Sequence, residues 1–337
     1  MSRSTSEQLA GVELADPALR AVLEQGLSQV EELLHREVQS EFRFLTEASL
    51  HLVDAGGKRF RPLFTLLAGQ FGPDQDRTQD VVCAAAVVEL IHLATLYHDD
   101  VMDEATLRRG AVSANARWDN TVAILTGDFL FAHASRLVAD LGPEAVRIIA
   151  RTFAELVTGQ MRETLGPAAD VDPVAHYLAV VTEKTGSLIA TAGRYGAMFS
   201  GASPERIEAL CRFGATIGIA FQISDDIIDI ASPAAQSGKT PGTDLREGVR
   251  TLPMLYALAE SDPGVERLRA LLAGPLTDDA LIAEALWRLR DSPGLDRAVR
   301  TLRSYTDAAR SELAVLPAGP ARDALSSVTD FLAARTT

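Results

Sequence analysis

An all-α fold, a single-domain bundle of about ten or more helices, is what the sequence predicts. Three observations predict it. No stretch alternates apolar and polar residues at the period of a strand, apolar residues recur at helical period through most of the chain, and Pro, Gly and Asp breaks separate those runs. No repeat at solenoid spacing competes with a bundle, and no linker-like shift in composition divides residues 16–337, which are expected to form one domain. Residues 1–15 carry one Arg and no apolar core of signal-peptide type, so a disordered lead-in is expected there.

The 337 residues are 47% hydrophobic and 23% charged, enough to bury a large core. Lys and Arg number 32 against 46 Asp and Glu, and the net charge of -14 argues against a general nucleic-acid binder, which needs a basic face for phosphates. Cys83 and Cys211 share no metal or redox spacing and suit small apolar positions in a reducing cytoplasm. Val81 to Tyr97 is the one run long enough to suggest a transmembrane span. Glu89 and His92 interrupt it and an Asp cluster ends it, so a buried core helix is the better reading.

Taken in order, Asp16-Pro17 forms an N-cap followed by Pro at the first helical position, opening an amphipathic helix to about His35. Ser40 to Val53 continues at helical period. Ala55-Gly56-Gly57-Lys58-Arg59-Phe60-Arg61-Pro62 is then a glycine turn loaded with cations, suited to a diphosphate but equally to a plain helix stop and start. A helix from about Pro62 to Phe71 and a polar link, Gly72 to Thr78, lead to the long apolar helix that ends in Asp99-Asp100-Val101-Met102-Asp103. Arg108 and Arg109 follow at once, either as a second anion site or as balance for Asp103 and Glu104.

Helical patterns resume from Ala114 to Leu141 and from Glu144 to Leu165, where Gln160 is either a ligand contact or, as expected, an ordinary satisfied polar residue. Asp172 to Ser200 carries Glu183-Lys184-Thr185-Gly186-Ser187 in mid-period, a run that suggests a kink facing a cavity or merely a poorly packed turn. Pro204 to Ile230 is a second long helix, with Gln222 one turn before Asp225-Asp226-Ile227-Ile228-Asp229. A Gly/Pro/Lys loop containing Lys239 comes next, and the tail from Val265 to Ala334 is helical without identifiable chemistry.

Residues four apart on a helix share a face about 6 Å apart along the axis, so Asp99 projects with Asp103 and Asp225 with Asp229. Two carboxylate triplets at the ends of apolar helices call for multivalent cations. Carboxylate and diphosphate oxygens are hard ligands, which makes Mg²⁺ the expected ion. Zinc is disfavoured, because His92 and His98 are six apart and point to different faces. Ionisation of an allylic diphosphate, with apolar walls keeping water from the cation and a second diphosphate held by separate Lys and Arg residues, is the chemistry these features suggest.

The ordered set Gly56 to Pro62, Glu89 to Asp103, Arg108-Arg109-Gly110, Gly127-Asp128-Phe129-Leu130, Lys184-Thr185, Phe221 to Asp229 and Gly238 to Pro253 resembles the trans-isoprenyl diphosphate synthases, the polyprenyl synthetase family, over about Ala10 to Ala259. The resemblance implies the isoprenoid-synthase fold and a head-to-tail condensation of isopentenyl diphosphate with an allylic diphosphate, as a homodimer. It implies that Asp99, Asp103 and Asp225, with Asp100, Asp226 and Asp229 beside them, hold Mg²⁺ on the allylic diphosphate. Arg108 would contact that diphosphate, Lys184, Thr185, Gln222 and Lys239 would line the allylic site, and Lys58, Arg61, His92 and Arg109 would bind isopentenyl diphosphate. The chain departs from the family where many members carry Lys after Gly248; here Val249 stands, followed by Arg250.

Ala94 and Thr95 occupy the positions upstream of Asp99 where short-product relatives tend to place an aromatic, so a long-chain product, hexaprenyl or beyond, is expected. The competing reading is a geranylgeranyl or farnesyl diphosphate synthase whose floor is set by Phe129, Phe131 or Tyr97. A class I terpene cyclase and a non-catalytic regulatory subunit remain as alternatives of other classes. The second intact Asp triplet argues against the first, and the undamaged Asp and Arg motifs against the second.

Overall fold

Asp16 does what its place before Pro17 predicts: its side chain accepts from the Leu19 backbone N–H at 2.7 Å and starts α1, Pro17–Glu37. The structure, a computed structural model, describes residues 8–9, 12–73, 78–231, 241–260 and 265–335. Helices dominate among them, and the fold is all-α. The only strands described are two-residue antiparallel pairs, β1 (Gln8–Leu9) with β2 (Val12–Glu13) and β3 (Leu107–Arg108) with β4 (Ala111–Val112). For the described residues 8–9 and 12–15, the first pair replaces the expected disordered lead-in. Val12 and Leu14 are buried, and Ser327 Oγ donates to the Glu13 carbonyl at 3.2 Å, so apolar side chains anchor this segment before the first helix begins.

The helices that follow are α2 (Arg43–Asp54), α3 (Phe60–Ala68), α4 (Thr78–Met102), α5 (Ala114–Arg117), α6 (Asn120–Asp140), α7 (Pro143–Leu165), α8 (Pro173–Val181), α9 (Ser187–Phe199) and α10 (Pro204–Ala231). Beyond them come α11 (Thr243–Glu247), α12 (Leu252–Leu258), α13 (Val265–Leu271), α14 (Asp279–Arg290), α15 (Pro293–Glu312) and α16 (Pro320–Ala334). The expected helix over Ala114 to Leu141 is two. Trp118 leaves helical geometry, and the Asp119 carboxylate caps a new helix by accepting from Val122 N at 2.8 Å.

The residues group into two compact units, one of Met1–Ala154, Leu188–Gly214 and Glu312–Val328, the other of Glu155–Ser187, Ala215–Ser311 and Thr329–Thr337. Each draws on three stretches of chain, so no linker marks a boundary in the composition. In the first unit, α4 is the axis, packed by α1, α3 and α6 and buried along most of its length. Small residues set these approaches. A Cβ on Gly196 would lie 2.0 Å from the Thr65 carbonyl oxygen, and one on Gly127 would lie 2.4 Å from His98 Nε2. In the second unit, Ile230, Leu245, Met254, Leu271, Ile282 and Leu289 belong to one apolar core.

Both α4 and α6 are long and apolar enough to cross a bilayer, a property the sequence reading assigned to the first alone. Burial separates them: 72% of the apolar window of α4 is buried against 39% of that of α6. The α4 window is thereby a core helix, while α6 leaves Ile124 and Leu125 exposed.

Candidate active site

The cationic turn between α2 and α3 is built on unusual backbone. Gly56 and Gly57 have φ of 78° and 137°, and Arg59 follows at 49° in the left-handed region. Arg59 turns inward, where its guanidinium meets Glu89 Oε1 at 2.8 Å, Glu31 Oε2 at 3.2 Å and the Val53 carbonyl at 2.9 Å. Lys58 is exposed on the same turn. Arg61 opens α3 half-buried, and its Nε is a buried donor without a hydrogen-bond partner. Burial holds its guanidinium below the usual range, with Glu89 opposing and Arg109 adding to the shift.

Arg109, also left-handed at φ 53°, reaches back from the hairpin to the same place. It donates to the Leu52 carbonyl at 3.1 Å and to the Gly56 carbonyl, and lies 3.4 Å from Glu89 Oε1. Its guanidinium occupies the space a Gly57 Cβ would need, 2.9 Å away. His92 is half-buried on α4, and burial pushes its imidazole well below the ordinary range, with Arg61 and Arg109 acting in the same direction. At neutral pH it is uncharged, so it can meet an anion only as a neutral N–H donor.

At the C-terminal end of α4, Asp99 is half-buried and Asp103 exposed, and the Asp103 N–H donates to the Asp99 carbonyl at 2.8 Å, keeping both on one helical face. Asp100 points the other way. It is fully buried, ion-paired to Arg108 Nε through Oδ1, and its Oδ2 has no partner. Burial raises the Asp100 carboxyl, against the pull of Arg108. Arg108 also stands 3.6 Å from Asp103 Oδ2. Of its two alternatives from the sequence, charge balance is thus what the contacts show, with Asp100 as well as Asp103 for partners.

Ala94 is buried at 1% exposure, and its carbonyl oxygen lies 3.0 Å from where a Gly127 Cβ would stand. Thr95 is half-buried with its hydroxyl on the His92 carbonyl at 2.8 Å. Tyr97, one of the three aromatics considered as a product floor, is fully buried. Its hydroxyl donates to the Ala48 carbonyl and accepts from Leu52 N at 3.2 Å, tying α4 to α2. Phe129 instead packs on His133 and Phe131 on Phe153, each with ring centroids 4.3 Å apart.

In the second unit Glu183 to Ser187, where the sequence suggested either a kink or a poorly packed turn, falls on a π-helical turn, Thr182–Gly186, between α8 and α9. Lys184 and Thr185 are half-buried on it, and Lys184 Nζ donates to Glu163 on α7. A Cβ on Gly159 would stand 2.8 Å from Lys184 N, so only glycine lets α7 come this close. Gln160, expected to be satisfied, is not. Its Oε1 is buried without a hydrogen-bond partner.

The three acids of the second motif have three different situations. Asp225 is half-buried and paired with Arg335 at 3.0 Å. Asp226 is buried, accepts from Tyr177 Oη and from Gln222 Nε2 at 3.0 Å, and burial pushes its carboxyl up to about 6 against those donors. Gln222, expected at the substrate, spends an amide N–H there. Asp229 accepts from Thr243 N at 3.1 Å and Asp244 N at 3.2 Å, holding the start of α11. Arg250, the neighbour of Val249, donates twice to the Leu272 carbonyl, at 3.1 and 3.3 Å, and is tied to backbone. Lys239 lies outside the described residues.

Sequence reasoning missed Glu31, Glu89, Glu163, Tyr177 and Arg335 as partners of the candidate site residues. Glu89 and Glu163 each stand near motif residues, and a buried acid inside an apolar helical run was the signal available for Glu89.

The polyprenyl synthetase family model matches residues 42–288. The nonaprenyl diphosphate synthase of Mycobacterium tuberculosis is 59% identical over 333 residues, covering 99% of each chain. The dimethylallyltranstransferase of the same organism is 48% identical over 322 residues, covering 96% of this chain and 98% of the relative. A geranylgeranyl pyrophosphate synthase from Corynebacterium glutamicum, solved with calcium and isoprenyl diphosphate, superposes with a TM-score of 0.88 at 53% identity, covering 96% of this chain and 99% of its own. With a family match over most of its length and relatives this similar along nearly all of it, the chain belongs to the polyprenyl synthetase family of prenyltransferases.

Proposed function

We propose that the protein condenses isopentenyl diphosphate with an allylic diphosphate, head to tail, to give a long-chain all-trans polyprenyl diphosphate. The observation that carries this reading is the separation, within the first unit, of an acidic helix end from a buried guanidinium cluster. Asp99 and Asp103 share one face at the end of α4, while Arg61, Arg109 and the uncharged His92 gather around Glu89. Two anionic groups with different needs, one to be ionised through metal and one merely to be held, suit such a division.

All the donors in the acidic motifs are carboxylate oxygens, which fits a hard ion. Mg²⁺ takes few protein ligands and fills its shell with water or phosphate oxygens, a need that Asp99 and Asp103 on one helical face suit. Asp99, Asp103 and Asp225 are the residues proposed to hold it. When bound, Mg²⁺ neutralises charge on the departing diphosphate. Arg108 adds a guanidinium to the same diphosphate, and Lys184 and Thr185 stabilise the allylic end. Asp226 and Asp229, whose oxygens serve Tyr177, Gln222 and the start of α11, position the second motif. Lys58, Arg61, His92 and Arg109 hold isopentenyl diphosphate so that its alkene meets the allylic carbon. The released diphosphate then accepts the proton.

Small side chains at Ala94 and Thr95 and the similarity to a nonaprenyl diphosphate synthase support the long product. A cytoplasmic homodimer is part of the same reading, supported by two free thiols and by the exposed Ile124 and Leu125 on α6. Incubation with farnesyl and isopentenyl diphosphates, followed by sizing of the dephosphorylated products, tests it: alcohols of six or more isoprene units are expected. Products that stop at geranylgeranyl overturn the chain-length assignment, and diphosphate release without isopentenyl diphosphate overturns the condensation.

A further inference from the structure

Glu89 is 1% exposed, a costly place for a carboxylate unless it is paired. Its Oε1 takes Arg59 at 2.8 Å and Arg109 at 3.4 Å, and Arg61 is near enough to feel its charge. The two guanidinium groups it touches are held very differently. Arg59 is engaged on every side, by Glu31, by Glu89 and by the carbonyls of Val53 and Gly56, the last at 3.4 Å. Turning it toward a ligand would break a buried charge-assisted network. Arg109 keeps two carbonyl contacts through one nitrogen and only the long contact to Glu89 through the other. Arg61 Nε has no partner.

We propose that Glu89 is the positioning residue of the isopentenyl diphosphate site: braced by Arg59, it sets where Arg109 and Arg61 present their guanidinium groups, and Arg59 itself does not bind the substrate. This rests on the reading of Arg61 and Arg109 as diphosphate ligands given above. Like-charged guanidinium groups this close separate unless an anion holds them together. A single buried carboxylate does so here without facing the ligand.

A merely charge-balancing acid makes the opposite prediction. A negative charge beside a diphosphate site repels the substrate, so its removal would tighten binding. Steady-state kinetics of the full chain with Mg²⁺ separate the two, varying isopentenyl diphosphate at saturating farnesyl diphosphate and then the reverse. Glu89→Gln removes the charge, while Glu89→Asp keeps it and withdraws it by one methylene. Both variants are expected to raise the KM for isopentenyl diphosphate tenfold or more, with kcat and the KM for farnesyl diphosphate within about threefold of wild type, a split that general loosening of the fold does not give. An unchanged or lowered KM for isopentenyl diphosphate in either folded variant overturns the proposal. So does loss of the fold in both, by circular dichroism, which would make Glu89 a stability residue. A wild-type enzyme that does not consume isopentenyl diphosphate would instead defeat the functional reading on which it rests.

Discussion

Carboxylates of identical chemistry differ sharply in role according to what surrounds them. Asp99 is half-buried and Asp103 exposed on one helical face, whereas Asp226 is enclosed by Tyr177 and Gln222. Asp99→Ala and Asp225→Ala are therefore expected to lower turnover by on the order of a hundredfold or more, the scale of losing one electrostatic stabiliser. Thermal melts should remain near wild type, since both side chains are partly solvent-exposed. Stopped assays of diphosphate release together with circular dichroism check both halves. Ala94→Phe places an aromatic on the buried face of α4 and is expected to shorten the prenyl chain, as chromatography of the product alcohols would show. The Asp residues were legible because their spacing matches the helix. Their division of labour was not, because Tyr177 lies 49 residues from its partner Asp226, and sequence spacing carries no trace of such a contact.

Among elements, the π turn at Thr182–Gly186 is the clearest case of local sequence writing local structure. Lys-Thr-Gly in an apolar helical period marked the place of an irregularity, though not whether it was a kink or a poorly packed turn. What the sequence left hidden was the reason the turn is tolerated: Gly159 on α7 gives the backbone at Lys184 room to approach. Gly159→Ala forces a methyl group to within 2.8 Å of Lys184 N, and overpacking of this kind costs about 1–3 kcal/mol. A lower melting temperature and a fall in kcat, from displacement of Lys184, are the expected outcomes. At α5 and α6 the sequence misled, since apolar periodicity runs on through Trp118 while the Asp119 cap restarts the helix. A cap is a single hydrogen bond, too small a signal to stand out against some twenty-five residues of consistent pattern.

For the molecule as a whole, the all-α class followed directly from periodicity, because hydrophobic pattern is what a helix must have to be buried. The grouping into two units was illegible for an equally physical reason. Each is assembled from three distant stretches, and composition reports neighbours in sequence only. Chelation of divalent ions is expected to stop diphosphate release while leaving the helical spectrum intact, because the long helices are held by buried apolar side chains and by protein caps such as Asp16, Asp119 and Asp278. Circular dichroism before and after chelation, with recovery of turnover on adding Mg²⁺, checks this. Unfolding on chelation would mean the ion holds the fold together as well as the substrate.

The Arg109 guanidinium fills the volume that any side chain at residue 57 would require. The two segments concerned, one before α3 and one within the hairpin after α4, are therefore a single unit of variation despite the 50 residues between them in the sequence. A library that diversifies the glycine turn alone will return functional clones only where Gly57 survives. A smaller residue at 109 would vacate that space, but the φ of 137° at residue 57 strains any L side chain whatever the room. For anyone redesigning this enzyme to take a different second substrate, Gly57 is therefore fixed and position 109 has to be chosen around it.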